Sequence, residues 1–253
     1  MENVIVVTIN YRLHVLGFLS LPSVGVSGNN GLKDQQMAIE WVHKNISNFN
    51  GNPNNICLFG ESAGSCCVHF QVINEKSRQF ISSAICQSGN AFSEWAFKGN
   101  KSIKDVVKLA HSLGCKSDNI KDVYMTLMHA PVEMLYEYCE KDPTTTEKKI
   151  RLRRWRVVIE NDSEDAFITQ STIDSIIRQQ GRIKIPMIFG VNNGDGMPKV
   201  ASSIKRLSAL NDEMENVIPK SLNATHPKVL AKEIKKFYFG DRDVSDETIF
   251  LLV

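Results

Sequence analysis

The chain has 253 residues and a formal net charge of +2, with 42% hydrophobic and 23% charged residues. This composition is that of a globular protein with enough apolar material for a substantial core. The near balance of charges gives no bulk attraction to nucleic acid or to an acidic membrane surface. No apolar run reaches the roughly 18 residues that a membrane-spanning helix needs. Collagen-like, disordered and membrane-spanning classes are therefore excluded.

The N-terminal residues alternate between strand and helix patterns. Val4 to Ile9 is a continuous β-branched run, typical of a strand buried on both faces of a parallel sheet. The stretch from Tyr11 to Asn30 is rich in Gly, Pro, Ser and Asn and predicts a long surface loop. Apolar residues at helical spacing predict a helix from Leu32 to Phe49, closed by Gly51 and Pro53.

The next segments complete an α/β alternation. Ile56 to Phe59 is a short apolar strand that runs directly into G-E-S-A-G at residues 60–64. A helix is predicted from there to about Ile73, followed by a buried strand from Ser83 to Ser88. Helix, strand, turn, helix and strand in this order predict an α/β fold with a mostly parallel central sheet.

The second half of the chain is mainly helical. Helices are predicted between residues 101 and 140 and over Pro227 to Phe239, and a buried strand over Ile185 to Val191 that ends in a turn. The basic run from Lys148 to Arg156 is followed at once by acids that include Glu160. This mixture favours a solvated surface over a nucleic-acid site.

Six cysteines are too few for a disulfide-stapled scaffold, and no C-x-x-C pair has zinc spacing. We expect most of them to be small buried hydrophobic residues. The sequence predicts neither a metal nor a cofactor.

The central motif is G-x-S-x-G at Gly60, Ser62 and Gly64. A strand ends at Phe59 and a helix begins at about Ala63, so Ser62 stands on a sharp strand-to-helix turn that requires a strained backbone. Small residues two before and two after the serine let the strand and helix approach without side-chain clashes. This context favours a serine nucleophile over a structural Gly-Ser turn.

Such a serine predicts acyl transfer. Ser62 Oγ would attack an ester carbonyl after giving its proton to a histidine that a carboxylate orients. The developing oxyanion needs backbone donors, and the N–H of Ala63 at the start of the following helix is one of them.

The sequence resembles the type-B carboxylesterases, the cholinesterase-like branch of the α/β-hydrolase superfamily. The resemblance is greatest to insect esterases, including those that act on juvenile hormone or xenobiotic esters, and it covers essentially the whole chain. It implies the α/β-hydrolase fold, with helices on both faces of the sheet, in one partial domain over residues 1–253. The matching stretches are N-Y-R-L at 10–13, L-G-F-L at 16–19, G-L-K-D-Q at 31–35, F-G-E-S-A-G at 59–64, Q-S-G at 87–89 and F-Y-F-G at 237–240.

The resemblance also places a catalytic acid. The family carries it in a G-x-N-x-x-E-G turn after a strand, which corresponds here to residues 190–196, with Asp195 in the acid position. Asp195 follows Ser62 in the chain order serine, acid, histidine. An Asp is one methylene shorter than the usual Glu but serves the same orienting role in other hydrolases. The alternative is an ordinary Asp-Gly turn residue.

Four further residues acquire roles by resemblance. Glu61 corresponds to a buried acid beside the nucleophile. Trp95 corresponds to an aromatic wall of the acyl pocket, with a core tryptophan as the alternative. Arg12 and Asp34 correspond to a structural ion pair.

Two parts of the family's machinery have no counterpart in this chain. The Gly-rich oxyanion loop lies upstream of the first strand, and no Gly-Gly pair occurs here. The catalytic histidine should follow the acid by more than a hundred residues. The histidine beyond Asp195 is His226, which the start of a helix at Pro227 explains equally well. We expect the chain to be the central part of an esterase, truncated at both ends, with negligible hydrolysis on its own.

The leading hypothesis is a serine carboxylesterase whose whole form acts on uncharged small-molecule carboxylic esters. The alternatives are a non-catalytic relative used for adhesion or ligand sequestration, or an inactive truncated product. Retention of both Ser62 and Asp195 argues against the non-catalytic relative. Extracellular members form a disulfide loop near Cys115, whose second position is Thr126 here, which favours an intracellular location over a secreted one.

Overall fold

The computed structural model describes residues 3–93, 95–99, 103–141, 155–178, 183–196, 211, 214–218, 222–245, 247–248 and 251. The chain divides into two compact units, Met1–Phe189 and Gly190–Val253. The first unit contains Ser62, and the second contains Asp195.

The described residues form α-helices, β-strands and short 3₁₀ turns. The α-helices are α1 (His14–Phe18), α2 (Asn30–Asn45), α3 (Ala63–Ile73), α4 (Glu75–Arg78), α5 (Ile103–Ser112), α6 (Ile120–His129), α7 (Val132–Lys141), α8 (Gln170–Ile177) and α9 (Pro227–Phe239). The strands are β1 (Cys57–Glu61), β2 (Ser83–Gln87), β3 (Phe97–Gly99), β4 (Val157–Val158) and β5 (Met187–Gly190). Short 3₁₀ turns span Pro22–Val24, Ile46–Phe49 and Met214–Val217.

The main sheet has the strand order β1-β2-β5. Strands β1 and β2 are parallel, in register from Cys57 opposite Ser83 to Glu61 opposite Gln87. Two parallel strands need a crossover between them. Helix α3 lies within that crossover and packs against both strands. The predicted α/β class with a parallel sheet is confirmed.

Helix α3 covers one face of this sheet. Val68 and Val72 of α3 pack with Ala84 and Cys86 of β2 and with Ile39 of α2, and all five are buried. The other face is open in the described residues, where Phe59 is 58% and Ile188 63% exposed. The core therefore fixes α3, and the N-terminal end of α3 carries Ser62.

A buried polar network ties α3 to its neighbours. The Gln71 Nε2 of α3 donates to the Leu32 carbonyl at 2.8 Å and to Gln35 Oε1 at 3.1 Å, both on α2. Ser77 Oγ of α4 donates in turn to Gln71 Oε1 at 2.6 Å. Because both the Nε2 and the Oε1 of Gln71 have partners, the network orients α3 without leaving the Gln71 amide unpaired in the core.

Glu160 is a buried acid. Its residue is 3% exposed, and its Oε1 accepts from Lys33 Nζ at 2.6 Å. Its Oε2 accepts from Asn29 Nδ2 and from the Phe167 N–H, each at 2.8 Å. The expectation of a solvated acid here is wrong because its side-chain partners lie 127 and 131 residues earlier in the chain. Residues 148–154 of the basic run lie outside the described residues.

Three expectations for the N-terminal residues and β5 are corrected. Val4 to Ile9 is not a buried strand: Val4 is 72% exposed, and no described strand pairs with the run. The predicted surface loop contains α1 and a 3₁₀ turn, and it buries Leu21 completely. Strand β5 forms where predicted but is exposed, because no described element covers the side of Ile188.

The cysteines match the expectation of buried thiols only in part. Cys66 and Cys86 are buried, Cys67 and Cys115 are half-buried, and Cys57 is exposed. All five are free thiols. Cys139 lies where the structure describes only the backbone.

The second unit, Gly190–Val253, contains helix α9. Helix α9 begins at Pro227, as predicted, and packs against the turn Met214–Val217. The Asn211 side chain accepts from the N–H of Val244 at 2.8 Å and donates to its carbonyl at 3.2 Å.

Candidate active site

Ser62 occupies a sharp turn between a strand and a helix. Strand β1 ends at Glu61, helix α3 begins at Ala63, and Ser62 between them has φ 54° and ψ −116°. A non-glycine residue with this backbone costs about 1–3 kcal/mol, and such strain concentrates at functional sites. The strained serine turn predicted from the motif is present.

Close approach of backbones explains why two positions in or beside this turn are glycine. A Cβ on Gly60 would lie 2.6 Å from the carbonyl carbon of Gly64, and a Cβ on Gly89 would lie 2.6 Å from the carbonyl oxygen of Ser62. A Cβ on Gly64 would meet nothing within 4 Å. The predicted need for a small residue is thus confirmed before the serine but not after it.

The last residue of β2 and the five residues that follow it, 87–92 and here called the strap, lie against the turn. The Ser62 N–H donates to the Gln87 carbonyl at 2.8 Å, and the buried Ser65 Oγ donates to the Gly89 carbonyl at 2.7 Å. The Ser62 carbonyl accepts from the Cys66 N–H at 3.1 Å, which starts the hydrogen bonding of α3. These bonds fix the backbone on both sides of the serine.

The first turn of α3 can stabilise negative charge. Ala63 is the first residue of the helix and is exposed, and the first N–H groups of a helix have no partner within it. Their alignment gives a partial positive charge at this end. The backbone next to Ser62 therefore suits an oxyanion.

Glu61 does not lie where it was expected. It was predicted to be a buried acid beside the nucleophile, but it is exposed. Alternate side chains of a strand share a face. Glu61 therefore lies on the same side of β1 as Phe59, the side that no described element covers.

The other predicted site residues lie further along the chain. Trp95 is half-buried in the turn before β3. Asp195 is exposed in the turn of residues 193–196 that follows β5, and its N–H donates to the Asn192 carbonyl at 3.3 Å. Ser62 and Asp195 belong to different units. The pairing of serine and acid stays a prediction.

No hydrogen bond joins a histidine to the Ser62 hydroxyl within the described part of the chain. His226 is the N-cap residue of α9 and directly precedes Pro227. This position agrees with its expected role at a helix start.

His69 is a residue near the turn that sequence reasoning gave no role. Its Nδ1 accepts from the Ala91 N–H of the strap at 3.1 Å. Its ring lies edge-on to Phe92 and Phe189, with centroid distances of 6.0 and 5.2 Å. Burial disfavours the charged ring and lowers the pKa of His69. The Q-S-G motif at 87–89 drew attention to the strap, but the motif does not indicate the hydrogen bond between Ala91 and His69.

The predicted ion pair is present. Arg12 Nε and Nη2 donate to the two oxygens of Asp34 at 2.8 and 2.6 Å, and the Arg12 N–H adds a third bond at 3.0 Å. These hydrogen bonds lower the pKa of Asp34 and raise that of Arg12. Since Asp34 lies on α2, the pair attaches the N-terminal segment to that helix.

No group of three metal-ligating side chains occurs among the described residues. Nor is any helix in the described ranges both long enough and apolar enough to cross a bilayer.

The model of the Carboxylesterase family matches residues 1–250. The chain belongs to the carboxylesterase family. It is 34% identical to a carboxylic ester hydrolase of Bombus ignitus and 34% identical to venom carboxylesterase-6 of Apis mellifera. Each match covers 98% of this chain and 45% of the relative. The chain thus spans about half the length of these relatives.

A solved structure establishes the fold. The juvenile hormone esterase of Manduca sexta, crystallised with OTFP covalently attached, superimposes with a TM-score of 0.74 at 24% identity. The match covers 96% of this chain and 46% of that protein. The chain therefore has the α/β-hydrolase fold that was predicted.

Proposed function

We propose that this carboxylesterase-family chain carries the nucleophile of a hydrolase that cleaves uncharged small-molecule carboxylic esters through an acyl-enzyme. Ser62 is the nucleophile, the Ala63 N–H is an oxyanion donor and Asp195 is the acid that orients the base. Trp95 is a wall of the acyl pocket. The proposal concerns the protein at its natural length.

The observation that carries the proposal is the backbone of Ser62. A structural serine at a strand-to-helix turn gains nothing from φ 54°, whereas a nucleophile must stand clear of the strand to reach a substrate. Gly60 and Gly89 keep the space around this backbone free of side chains. The strain is maintained by the packing of α3 against β1 and β2.

The chemistry follows from this arrangement. Ser62 Oγ adds to the ester carbonyl as its proton passes to a histidine base, and the carbonyl oxygen becomes an oxyanion next to the Ala63 N–H. Collapse expels the alcohol, which takes the proton from the base and leaves an acyl-Ser62 ester. Water activated by the same base then releases the acid and restores Ser62.

No histidine among the described residues is assigned as the base. His226 is a poor candidate because its place at the N-cap position, directly before Pro227 at the start of α9, is explained by the helix start alone. His69 is a poor candidate because its Nδ1 accepts the Ala91 N–H. Its own proton is therefore on Nε2, so neither ring nitrogen is open to take the proton of the serine. Asp195 would orient the base through a hydrogen bond to its second ring nitrogen.

A non-catalytic binding protein is the alternative. A protein that needs only the fold has no use for a strained serine, since a glycine would occupy the same backbone without cost. The conformation of Ser62 therefore favours catalysis over simple binding.

Hydrolysis of a neutral aryl ester tests the proposal. We expect the protein at its natural length to turn over p-nitrophenyl acetate, and Ser62→Ala to lower kcat by about 10³-fold or more. Ser23→Ala, at an exposed serine of the first 3₁₀ turn, is the matched control and should keep full activity. Equal rates for Ser62→Ala and the unmodified protein would contradict the proposal.

A further inference from the structure

The strap is held against α3 at three points. Ser62 at the start of the helix and Ser65 one turn later bond the Gln87 and Gly89 carbonyls, as described above. The third point is His69, two turns after Ser62, whose Nδ1 accepts from the Ala91 N–H. Of the three, the His69 contact is the one that a change of protonation can break.

The His69 contact defines the state of the ring. An acceptor Nδ1 requires a neutral imidazole with its proton on Nε2. Ala91 is fully buried, so its N–H depends on a partner in the protein. The edges of Phe92 and Phe189 flank the ring and give it an apolar environment.

No charged side chain faces this ring from the described elements in contact with it. The strap and β5 contain no titratable residue. On α3 itself the other titratable groups are Cys66 and Cys67, whose pKa values are raised by burial, that of Cys66 to about 12. Both thiols are therefore neutral, and burial alone lowers the pKa of His69.

We propose that neutral His69 is a positioning residue for the nucleophile: by accepting the Ala91 N–H it holds the strap against Ser62. The proposal rests on the proposed function, because the strap matters for turnover only where Ser62 is the nucleophile. His69 acts through the strap and does not touch the reacting atoms.

Protonation of His69 would undo the contact. Nδ1 then carries a proton that faces the Ala91 N–H, and two donors meet where a donor and an acceptor were paired. The buried N–H loses its partner, which favours an open strap. Gln87 and Gly89 lie on the same strap, so the hydrogen bonds of Ser62 and Ser65 loosen with it.

Two substitutions at His69 separate the hydrogen bond from other effects. His69→Asn places an amide oxygen near the position of Nδ1 and cannot titrate, so it keeps the acceptor at every pH. His69→Leu keeps the apolar packing and removes the acceptor. His43→Leu is the matched control, because the His43 Nδ1 lies 3.0 Å from the Pro53 carbonyl and its ring lies 4.9 Å from Phe80.

Hydrogen exchange of the strap is the first readout and needs no activity. In the protein at its natural length at pH 8, we expect His69→Leu to exchange the Ala91 amide about tenfold or more faster than the unmodified protein. His69→Asn and His43→Leu should match the unmodified protein. In a pH series that descends below 6.5, the ordinary pKa of histidine, and after correction for intrinsic exchange, the unmodified protein should lose protection relative to His69→Asn. Equal protection in all four proteins at every pH would overturn the positioning role.

Ester turnover is the second readout. At pH 8 we expect His69→Leu to lower kcat about ten- to hundredfold with little change in KM, because a misplaced nucleophile slows chemistry more than binding. His69→Asn should restore kcat to within about threefold. Exchange changes without a change in kcat would also overturn the positioning role.

The two proposals fail separately. If the unmodified protein hydrolyses no ester, the proposed function fails, and exchange of the Ser62 amide then decides the role of His69. Faster exchange of that amide in His69→Leu but not in His69→Asn supports the role. Unchanged exchange overturns it.

Discussion

Gly60 lies so close to Gly64 that a Cβ on Gly60 would stand 2.6 Å from the Gly64 carbonyl carbon. Real Cβ atoms essentially never approach backbone this closely, so a Cβ at position 60 would require β1 and α3 to shift apart. The contact is one-sided, because a Cβ on Gly64 would meet nothing within 4 Å. The two glycines of one motif therefore have different physical roles.

Substitution of these glycines by alanine should have opposite outcomes. Gly60→Ala forces β1 and α3 apart and should destabilise the protein by about 1–3 kcal/mol, with a large loss of ester turnover. Gly64→Ala should leave the unfolding free energy within about 1 kcal/mol, since alanine also favours a helix. Urea denaturation of both variants measures the difference. Equal destabilisation would contradict the asymmetry.

The buried Glu160 should be a strong determinant of stability. Glu160→Ala leaves the Lys33 ammonium and the Asn29 amide without their carboxylate, and removal of one partner of a buried pair costs about 3–5 kcal/mol. Glu164→Ala, at an exposed acid nearby, should change the unfolding free energy by less than about 0.5 kcal/mol. Thermal or urea unfolding compares the two. A small effect of Glu160→Ala would contradict this prediction, because it would mean that solvent replaces the carboxylate as the partner of Lys33 and Asn29.

The Arg12–Asp34 pair predicts a stability effect in acid. Its hydrogen bonds lower the pKa of Asp34 below the ordinary 3.8, so the folded carboxyl binds its proton less readily than the unfolded one. The pair therefore stabilises the protein above about pH 3.8, and this contribution is lost as the pH falls through the folded value. Because the Arg12 side chain is 51% exposed, the contribution is about 1 kcal/mol or less.

Asp34→Asn tests this sign. The variant should be less stable than the unmodified protein at pH 7, and the difference should shrink at pH 3. Glu40→Gln, in the exposed Glu40–Lys44 pair of the same helix, is the control and should cost only a few tenths of a kcal/mol. A difference that grows in acid would contradict the assignment.

The sequence predicted those elements that are determined by residues close together in the chain. Helix α9 begins at Pro227 because proline suits the first turn of a helix, and it ends before Gly240. The turn at Ser62 was predicted because the glycine spacing and the strand before it lie within eight residues. The parallel order of β1 and β2 followed from the helix between them.

The features that the sequence did not predict depend on partners far away in the chain or in the backbone. The burial of Glu160 depends on Asn29 and Lys33, more than a hundred residues away, and no pattern around Glu160 indicates them. His69 was missed because its partner is a backbone N–H, which carries no sequence signal. The run at Val4 has strand composition, but a strand also needs a neighbour, and none pairs with it in the described structure.

The most direct test of Ser62 as nucleophile is the site of covalent attack. We expect a fluorophosphonate added to the protein at its natural length to form one adduct on the peptide that contains Ser62, and Ser62→Ala to abolish it. Peptide mass spectrometry locates the modified residue, and Ser65, three residues later, is the internal control because its hydroxyl is bonded to Gly89. An ester-hydrolysing protein that carries the adduct on another serine, or that keeps its adduct in Ser62→Ala, would contradict the assignment.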